Sequence, residues 1–232
     1  MAGQDIFPID LASVDHVLKT TRSVRLRLDY EREIPREVIN EALEIALQAP
    51  TGANTQTWRF MVVTDPDLKA GIADAYRRGA DRYLANETAM TRTGVSATRQ
   101  FEPDDLRTQQ IDGVIKSSVH LMENMHRAPA MIIPCIESRF ENEDVFTQAS
   151  MYGSILPAAW SLMLALRARR IAAAWTSLHL IYEQEISALL GIPPDVTQAA
   201  LLPIAYLKGG DLHPAKRLPL DEVCYWDRWG GA

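Results

Sequence analysis

Apolar residues recur along this chain with helical and strand periods in turn. Spacings of three and four residues predict helices, and short β-branched runs predict strands. The predicted helices are Ser13–Thr21, Pro35–Ala49, a segment that begins at Asp65 and Pro66, Gln109–Arg127, Thr147–Arg170 and Glu183–Leu190. The predicted strands are Arg59–Thr64, Met131–Ile136, Ile171–Ser177 and Ala199–Leu207. No internal repeat or glycine-rich linker divides the sequence, so we predict one domain over residues 1–232.

Four residues predict where these elements begin, end or bend. Ser13 has the side chain of a helix N-cap, and Pro35 suits the first position of a helix. Gly191 is expected to end the last helix, because glycine adopts the left-handed conformation of a helix C-terminus without strain. Pro203 lacks an N–H donor, which predicts that the final strand lies at a sheet edge or carries a bulge.

The periodic pattern breaks down from Gly79 to Leu106, where charged residues mix with scattered aromatic ones. This segment is either a solvated connection with short helical pieces or a mobile lid over a ligand site. We favour a lid-like insertion over about residues 80–106.

Composition and charge exclude several classes of function. The chain is 47% apolar and 23% charged, with a formal net charge of −6, so a uniformly basic surface for nucleic acid is not favoured. Cys135 and Cys224 fit neither a metal-ligand spacing nor a disulfide framework, and we predict no metal site. Met1–Pro8 has no apolar core of a secretory signal, so we expect a cytoplasmic protein.

One segment requires a comparison with membrane spans. Ala149–Leu166 contains no charged residue and is long enough to cross a bilayer. It also holds several serines, and no second apolar span accompanies it. A helix that is apolar on all sides is equally at home in a large core. We therefore predict a buried helix and no membrane partner.

Two polar segments are candidates for ligand binding. Thr51–Phe60 joins a predicted helix to a predicted strand and offers backbone N–H groups, hydroxyls and a carboxamide. Thr20–Arg25 carries two guanidiniums, which grip phosphates or carbonyl-rich rings through several donors fixed in one plane. The alternatives are a plain helix-to-strand connection and a solvated basic turn.

The familiar nucleotide and hydrolase motifs are absent: there is no G-x-G-x-x-G after a strand, no P-loop, no H-E-x-x-H and no G-x-S-x-G. The remaining candidates are dispersed cations, hydroxyls and amides, which together suit a flat, phosphorylated ligand held from several parts of the chain. These candidates are Arg22, Ser23, Arg25, Thr51, Gly52, Asn54, Gln56, Trp175, Thr176, Ser177, Lys216 and Arg217. As alternatives, Trp58 and Trp175 are core residues, and Arg217 pairs with Asp221 at the surface.

The order R-S-x-R, at Arg22–Arg25, followed by A-P-T-G-A-N-x-Q-x-W, at Ala49–Trp58, resembles the FMN-dependent nitroreductase family. The resemblance covers nearly the whole chain. It implies an α+β fold with three α/β/α layers and a mostly antiparallel central sheet. It also implies a homodimer with FMN at the subunit interface and the long helix Thr147–Arg170 packed across that interface.

The resemblance also implies roles for the candidate residues. Arg22, Ser23 and Arg217 would hold the phosphate and ribityl end of FMN, and Arg25 is our candidate for stabilising the reduced flavin. Other residues would line the ring and ribityl, namely Thr51, Gly52 and Asn54, with Gln56 as a weaker candidate. The stretch Trp175, Thr176 and Ser177 would approach the ring near N5. We predict no catalytic acid or base.

Three positions depart from the family pattern. Thr21 stands where the family often has a further arginine, which removes one phosphate contact. Thr57 replaces the usual proline, and Ala172–Ala174 replaces a glycine-containing turn. None of these changes puts an acid where a cation is expected, so FMN binding is retained as the prediction.

The resemblance implies an NAD(P)H-dependent oxidoreductase that reduces nitroaromatics, quinones or similar flat small-molecule electron acceptors by ping-pong hydride transfer. A specialised flavin enzyme of the same fold, for reductive dehalogenation or flavin breakdown, is the first alternative. A flavin-binding or sequestering protein without turnover is the second. A helical interaction protein without cofactor is the third.

Overall fold

The centre of the structure is an antiparallel sheet. The computed structural model of the chain describes residues 9–92 and 101–231. Within these residues six strands form one sheet, and every pair of bonded neighbours is antiparallel. The strands are β1 (Leu28–Asp29), β2 (Trp58–Val63), β3 (Ala130–Ile136), β4 (Ile171–Ala173), β5 (Thr197–Gln198) and β6 (Leu202–Leu207). The predicted antiparallel sheet is confirmed.

Strand β6 lies inside this sheet, because it pairs with β1, β3 and β4. The prediction of a sheet edge at Pro203 is therefore wrong. The alternative prediction of a bulge is supported, because the register against β3 shifts by one residue between Gln198, which faces Cys135, and Leu202, which faces Ile132. The carbonyl of Pro203 accepts the N–H of Ala174 at 3.0 Å. A strand residue points its N and O the same way, so the missing N–H faces Ala174 and not β3. Pro203 costs β6 no hydrogen bond to β3.

Seven helices surround the sheet within the described residues. They are α1 (Leu11–Thr20), α2 (Arg36–Ala46), α3 (Pro66–Leu84), α4 (Ala89–Arg92), α5 (Leu106–Asn124), α6 (Val145–Ala168) and α7 (Glu183–Leu190). Single-turn 3-10 helices occur at Gly52–Asn54, Met125–Arg127 and Leu220–Glu222, with a longer one at Leu178–Tyr182. All six helices predicted from the pattern are present, and Gly191 ends α7 with φ of 68°.

Most helix boundaries shift by one to three residues from the prediction, and at two of them the structure shows why. Asp10, and not Ser13, caps α1, since its carboxylate accepts the N–H of Ala12 at 3.2 Å and the hydroxyl of Ser13. Helix α3 continues through Gly79 to Leu84. A side chain at Gly79 would collide with the backbone carbonyl of Leu178. The glycine therefore permits Leu178 to pack closely against α3, whereas the sequence analysis interpreted Gly79 as the end of the periodic pattern.

Side chains of β3 alternate between two cores, which produces the predicted three layers. Met131, Ile133 and Cys135 pack with residues of α3 and α7 on one face. Ala130 and Ile132 pack with residues of α2 and α6 on the other. Burial raises the pKa of the Cys135 thiol to about 12, so this residue serves as a small core side chain, as predicted.

Helix α6 is buried on the side that faces the sheet and exposed at its N-terminal end. Ile155, Leu162 and Leu166 are fully buried, whereas Val145 and Phe146 are 84% and 78% exposed. Of the described helices, α6 alone has the length and composition of a membrane span. Of the 18-residue stretch of α6 that meets this criterion, 44% is buried inside the chain. Core helices meet the same criterion, so this one helix is weak evidence for a membrane.

Candidate functional site

A cavity of about 700 Å³ opens between three parts of the chain: the linker from α1 to β1, one face of α5, and the C-terminal segment after β6. It brings together five of the candidate residues, namely Arg22, Ser23, Arg25, Lys216 and Arg217. The complete described lining is Arg22–Arg27, Gln109, Gln110, Gly113, Val114, Ser117, Leu212, Pro214, Ala215, Lys216 and Arg217. Segments near the two ends of the sequence thus share one cavity.

The described lining of this cavity contains five cationic side chains and no acidic one. Within the described part of the chain, the side chains of Arg22 and Arg25 form no ion pair or hydrogen bond, and Arg217 donates only to the backbone carbonyl of Lys216, at 3.2 Å. The predicted alternative in which Arg217 pairs with Asp221 is not observed. Cations without counter-charges attract and orient an anion.

The backbone that carries Arg22 and Arg25 is fixed to the end of β4. Ser23 Oγ accepts the N–H of Trp175 at 2.8 Å, and its hydroxyl lies 3.3 Å from the carbonyl of the same residue. The N–H of Val24 donates to the carbonyl of Ala173 at 2.9 Å. Ser23 therefore positions the two neighbouring arginines, a role that the motif alone did not reveal.

Arg27 joins this linker to the C-terminal segment. Its guanidinium donates to the carbonyls of Lys208 at 2.8 Å and Asp211 at 3.3 Å, and also to that of Gly210. The carbonyl of Arg27 in turn accepts the N–H of Lys208 at 2.9 Å. Arg27 lines the cavity, but its guanidinium is already used to hold the linker and the C-terminal segment together.

The stretch Trp175, Thr176 and Ser177 lies behind the linker and is outside the described lining of the cavity. The predicted strand ends at Ala173 and is followed by a single bridge between Thr176 and Leu201. The hydroxyl of Thr176 donates to the hydroxyl of buried Tyr76 at 2.9 Å. Burial raises the pKa of Tyr76, while the Thr176 bond and the Arg25 charge oppose that rise.

The polar loop Thr51–Gln56 is separate from the cavity and exposed on the outside of α6. The N–H of Gly52 donates to Ser154 Oγ of α6 at 2.9 Å. Within the loop, the N–H of Gln56 donates to Thr51 Oγ1 at 3.2 Å, and Gln56 Nε2 donates to Asn54 Oδ1 at 3.3 Å. Arg59 of β2 also donates to the carbonyl of Gln56, at 3.4 Å. Trp58, which follows, is buried in the core, as its alternative interpretation predicted.

This loop holds three side chains in the left-handed region of backbone space. The φ angles are 49° at Ala53, 54° at Asn54 and 52° at Gln56. Asparagine tolerates this conformation, but alanine adopts it at a cost of about 1–2 kcal/mol. Such strain concentrates at ligand sites. We therefore regard the cavity and this loop as two candidate half-sites, that is, two parts of one ligand site. Within a single chain the loop does not line the cavity.

Thr21 accounts for the missing arginine in structural terms. Its hydroxyl donates back to the carbonyl of Val17 at 2.6 Å, so it completes the last turn of α1 and supplies no donor to the cavity. That the departure at this position removes one anion contact stays a prediction.

Helix α5 contributes to the cavity through side chains that the sequence interpretation did not select. Gln109, Gln110, Gly113 and Ser117 share one helical face, and their spacing could have revealed that face. What it faces depends on the fold. Of the predicted lid, the structure describes the end of α3, α4 and residues 101–105, whereas residues 93–100 lie outside the described residues.

An antiparallel sheet between two helical layers defines an α+β protein, and a cation-lined cavity lies at the side of the sheet. The sequence matches the nitroreductase family over residues 18–206. The chain therefore belongs to the nitroreductase family, whose members are flavin oxidoreductases.

Particular relatives include both reductases and deiodinases. Human iodotyrosine deiodinase 1 is 27% identical over 209 residues, or 89% of this chain and 66% of the human protein, so the chain spans about two thirds of that relative. An iodotyrosine deiodinase bound to FMN and 3-iodo-L-tyrosine superposes with a TM-score of 0.65 at 19% identity, covering 92% of this chain and 98% of that one. The FMN-dependent nitroreductase NfnB of Mycobacterium smegmatis, in complex with NADPH, gives 0.62 at 22% identity, covering 94% and 100%. At identities this low, the TM-scores establish a common fold and no more.

Proposed function

We propose that this chain is an FMN-dependent oxidoreductase that takes electrons from NAD(P)H and passes them to a flat acceptor such as a nitroaromatic or a quinone. The observation that carries the proposal is the cavity in which Arg22, Arg25, Lys216 and Arg217 converge without any acidic side chain in the described lining. A terminal phosphate needs such donors. FMN, when bound, supplies the two-electron chemistry.

The residues of the cavity fit FMN in charge and in arrangement. Arg22 lies in the linker after α1 and Arg217 in the C-terminal segment, so two separate parts of the chain would hold one phosphate. Arg25 would face the pyrimidine edge of the ring, where a guanidinium stabilises negative charge on the reduced flavin. Ser23 contributes by fixing the backbone between these arginines, since its hydroxyl already bonds to Trp175.

The proposal includes a homodimer, because the loop Thr51–Gln56 is too remote to line the cavity of its own chain. A second copy would bring that loop, with Thr51, Gly52, Asn54 and Gln56, over the cavity. Exposed apolar side chains favour such an association. They lie on α1, at the start of α6 and in the C-terminal tail: Leu11, Leu18, Val145, Phe146, Val223, Trp226 and Trp229.

Reductive dehalogenation of a halogenated phenol is the second candidate function. It is favoured by the curated relatives, among which human iodotyrosine deiodinase 1 aligns with 89% of this chain. Both candidates use the same flavin, so the cavity is equally compatible with either. The acceptor, the choice between NADH and NADPH, and a cytoplasmic location remain predictions.

An absorption spectrum of the purified protein, followed by anaerobic addition of NADPH or NADH, tests the proposal. Bands near about 370 and 450 nm that bleach with the nicotinamide, and return with a nitroaromatic or quinone, are expected. Bleaching only with dithionite, together with turnover of 3-iodo-L-tyrosine, would favour the dehalogenase. A bound flavin that no reductant bleaches would indicate sequestration, and a colourless protein that binds no added FMN would contradict the proposal.

A further inference from the structure

The C-terminal segment Lys208–Arg217 supplies almost one third of the described cavity lining without any helix or strand of its own. A segment without regular backbone bonding keeps its position only through side-chain contacts with the rest of the protein. The position of Lys216 and Arg217 therefore depends on what anchors the chain upstream of them.

Asp211 is the most heavily bonded side chain of this segment. Its carboxylate accepts the N–H of Leu212 at 2.8 Å, lies 2.7 Å from His16 Nε2 of α1, and accepts a bond from the guanidinium of Arg167 at the end of α6. The Leu212 N–H first, and then His16 and Arg167, hold the pKa of Asp211 at about 2. The carboxylate is thus ionised at neutral pH, as an ion pair with Arg167 requires.

Arg167 gives this contact its strength. The side chain of Arg167 is only 10% exposed, and it also donates to Thr20 Oγ1 of α1 at 3.2 Å. Asp211 is its only ion-pair partner within the described residues. A buried guanidinium is strongly destabilised when its partner is removed, so the pair resists separation. Through Arg167, the carboxylate fixes the C-terminal segment to both α1 and α6.

The anchors end immediately after this point. Arg27 holds the backbone carbonyls of residues Lys208, Gly210 and Asp211, and Leu212 is buried. Between Leu212 and Arg217, one hydrogen bond from elsewhere in the described residues reaches the segment. Gln110 Nε2 donates to the carbonyl of Lys216 across a long distance of 3.5 Å. Asp211 is therefore the last ionic anchor before the two cations of this wall.

We propose that Asp211 is a positioning residue: by locking the C-terminal segment to Arg167 and His16, it keeps Arg217 and Lys216 at the cavity that Arg22 also lines, where they would hold the phosphate of the flavin. This inference rests on the proposed function and deepens it. Asp211 touches no part of the cofactor in this account. Its influence is confined to the phosphate end, so it should distinguish FMN from riboflavin, which lacks the phosphate.

The test compares Asp211→Asn with the wild type in the full chain, by titrating FMN and riboflavin and following the quenching of flavin fluorescence. We expect Asp211→Asn to weaken FMN binding by about 10-fold or more, and riboflavin binding by less than about 2-fold, because one or more charge-assisted phosphate contacts are misplaced. Asp195→Asn is the matched control, since this exposed carboxylate has no bonding partner among the described residues. It should change neither affinity.

A second variant separates positioning from loss of folding. Arg167→Met combined with Asp211→Asn removes the buried charge together with its partner, which avoids an unpaired guanidinium. It should fold like the wild type, by circular dichroism and thermal unfolding, and should still discriminate poorly between FMN and riboflavin. Hydrogen exchange of the flavin-free protein should show faster exchange at residues 208–217 in both variants.

The results that would overturn the inference are distinct from those that would overturn the proposed function. Two outcomes would remove the role of Asp211 and leave the flavin function standing. In both the wild type binds FMN, and Asp211→Asn either loses affinity equally for the two flavins or binds FMN as tightly as the wild type. A wild type that binds neither flavin would remove the proposed function and this role with it.

Discussion

The cavity and the loop Thr51–Gln56 contain similar residue types but differ in which of their groups have bonding partners. In the cavity the backbone is tied to the core, through Ser23, Arg27 and Asp211, while Arg22 and Arg25 are left without partners. In the loop the polar groups of Gln56, Asn54 and Thr51 bond to one another. The cavity is thus a candidate half-site on a fixed backbone, with cations that lack protein partners, whereas the loop is a strained and exposed candidate half-site attached to α6.

This division explains why a single chain does not join the two motifs. The linker with Arg22 follows α1 and leads into the sheet at β1, whereas the loop follows α2 and is attached to the middle of α6 through Ser154. In the proposed homodimer each half would be completed by the other copy. The following predictions test that division, from the largest expected effect to the smallest.

Arg22→Ala should have the largest effect, because it removes an unpaired guanidinium from the cavity. We expect the affinity for FMN to fall by about 10- to 100-fold, the value of a hydrogen bond to a charged group, with a smaller loss for riboflavin. Isothermal titration with both flavins measures this. Arg77→Ala is the control, since Arg77 is a partly exposed residue of α3 that pairs with Asp74 at 3.5 Å, outside both the cavity lining and the loop. Equal losses in the two variants would mean that the cavity is not the phosphate site.

Acidification should destabilise the fold as a whole through His179, which belongs to neither half-site. Its ring is fully buried, both nitrogens lack a partner among the described residues, and burial lowers its pKa from 6.5 to about 3. Because the folded pKa is depressed, the unfolded state binds the proton first. Stability is therefore complete above pH 6.5 and is lost as the pH falls toward 3, by up to about 1.4 kcal/mol per pH unit.

His179→Leu should remove this component. Denaturant unfolding at pH 7 and pH 5 should show a drop in the free energy of unfolding that is smaller by about 2 kcal/mol than in the wild type. His126→Gln, at an exposed histidine, should behave like the wild type. An unchanged pH dependence in His179→Leu would show that His179 is hydrated or partnered, and flavin affinities measured at low pH would then need no correction for unfolding.

Ala53→Gly should produce the smallest effect and of the opposite sign, because it relieves strain in the loop. With φ of 49° at Ala53, glycine should raise the free energy of unfolding by about 0.5–1 kcal/mol. The same substitution at Ala70, an exposed residue in the second turn of α3, should lower the free energy of unfolding by about 1 kcal/mol. Thermal unfolding of the pair provides the comparison. A loss of stability at both positions would contradict the strained conformation of the loop.

The sequence predicted the elements well because their signals are local. Periodicity identified all six major helices, and the apolar run at Met131–Ile136 identified the central strand. The failures at Gly79 and Pro203 have one origin. Each residue was interpreted by its local propensity, but the close approach of Leu178 and the direction of one missing N–H belong to the tertiary structure.

The candidate site could be predicted only in pieces. Both motifs were selected from the residue types they contain, and Arg22, Ser23, Arg25 and Arg217 do meet in one cavity. The separation of the Thr51–Gln56 loop, the face of α5 and the anchoring by Asp211 depend on contacts between residues far apart in sequence. No spacing rule encodes such contacts.

Subunit mixing tests the central claim most directly. Arg22→Ala damages the cavity and Asn54→Ala damages the loop, so two copies carrying one change each would form a heterodimer with one intact site and one doubly changed site. Differently tagged variants, unfolded, refolded together and purified through both tags, should bind FMN at one site per heterodimer with wild-type affinity, while each homodimer binds weakly. Heterodimers that bind as weakly as the homodimers, or a protein that stays monomeric, would contradict a flavin site shared between two copies.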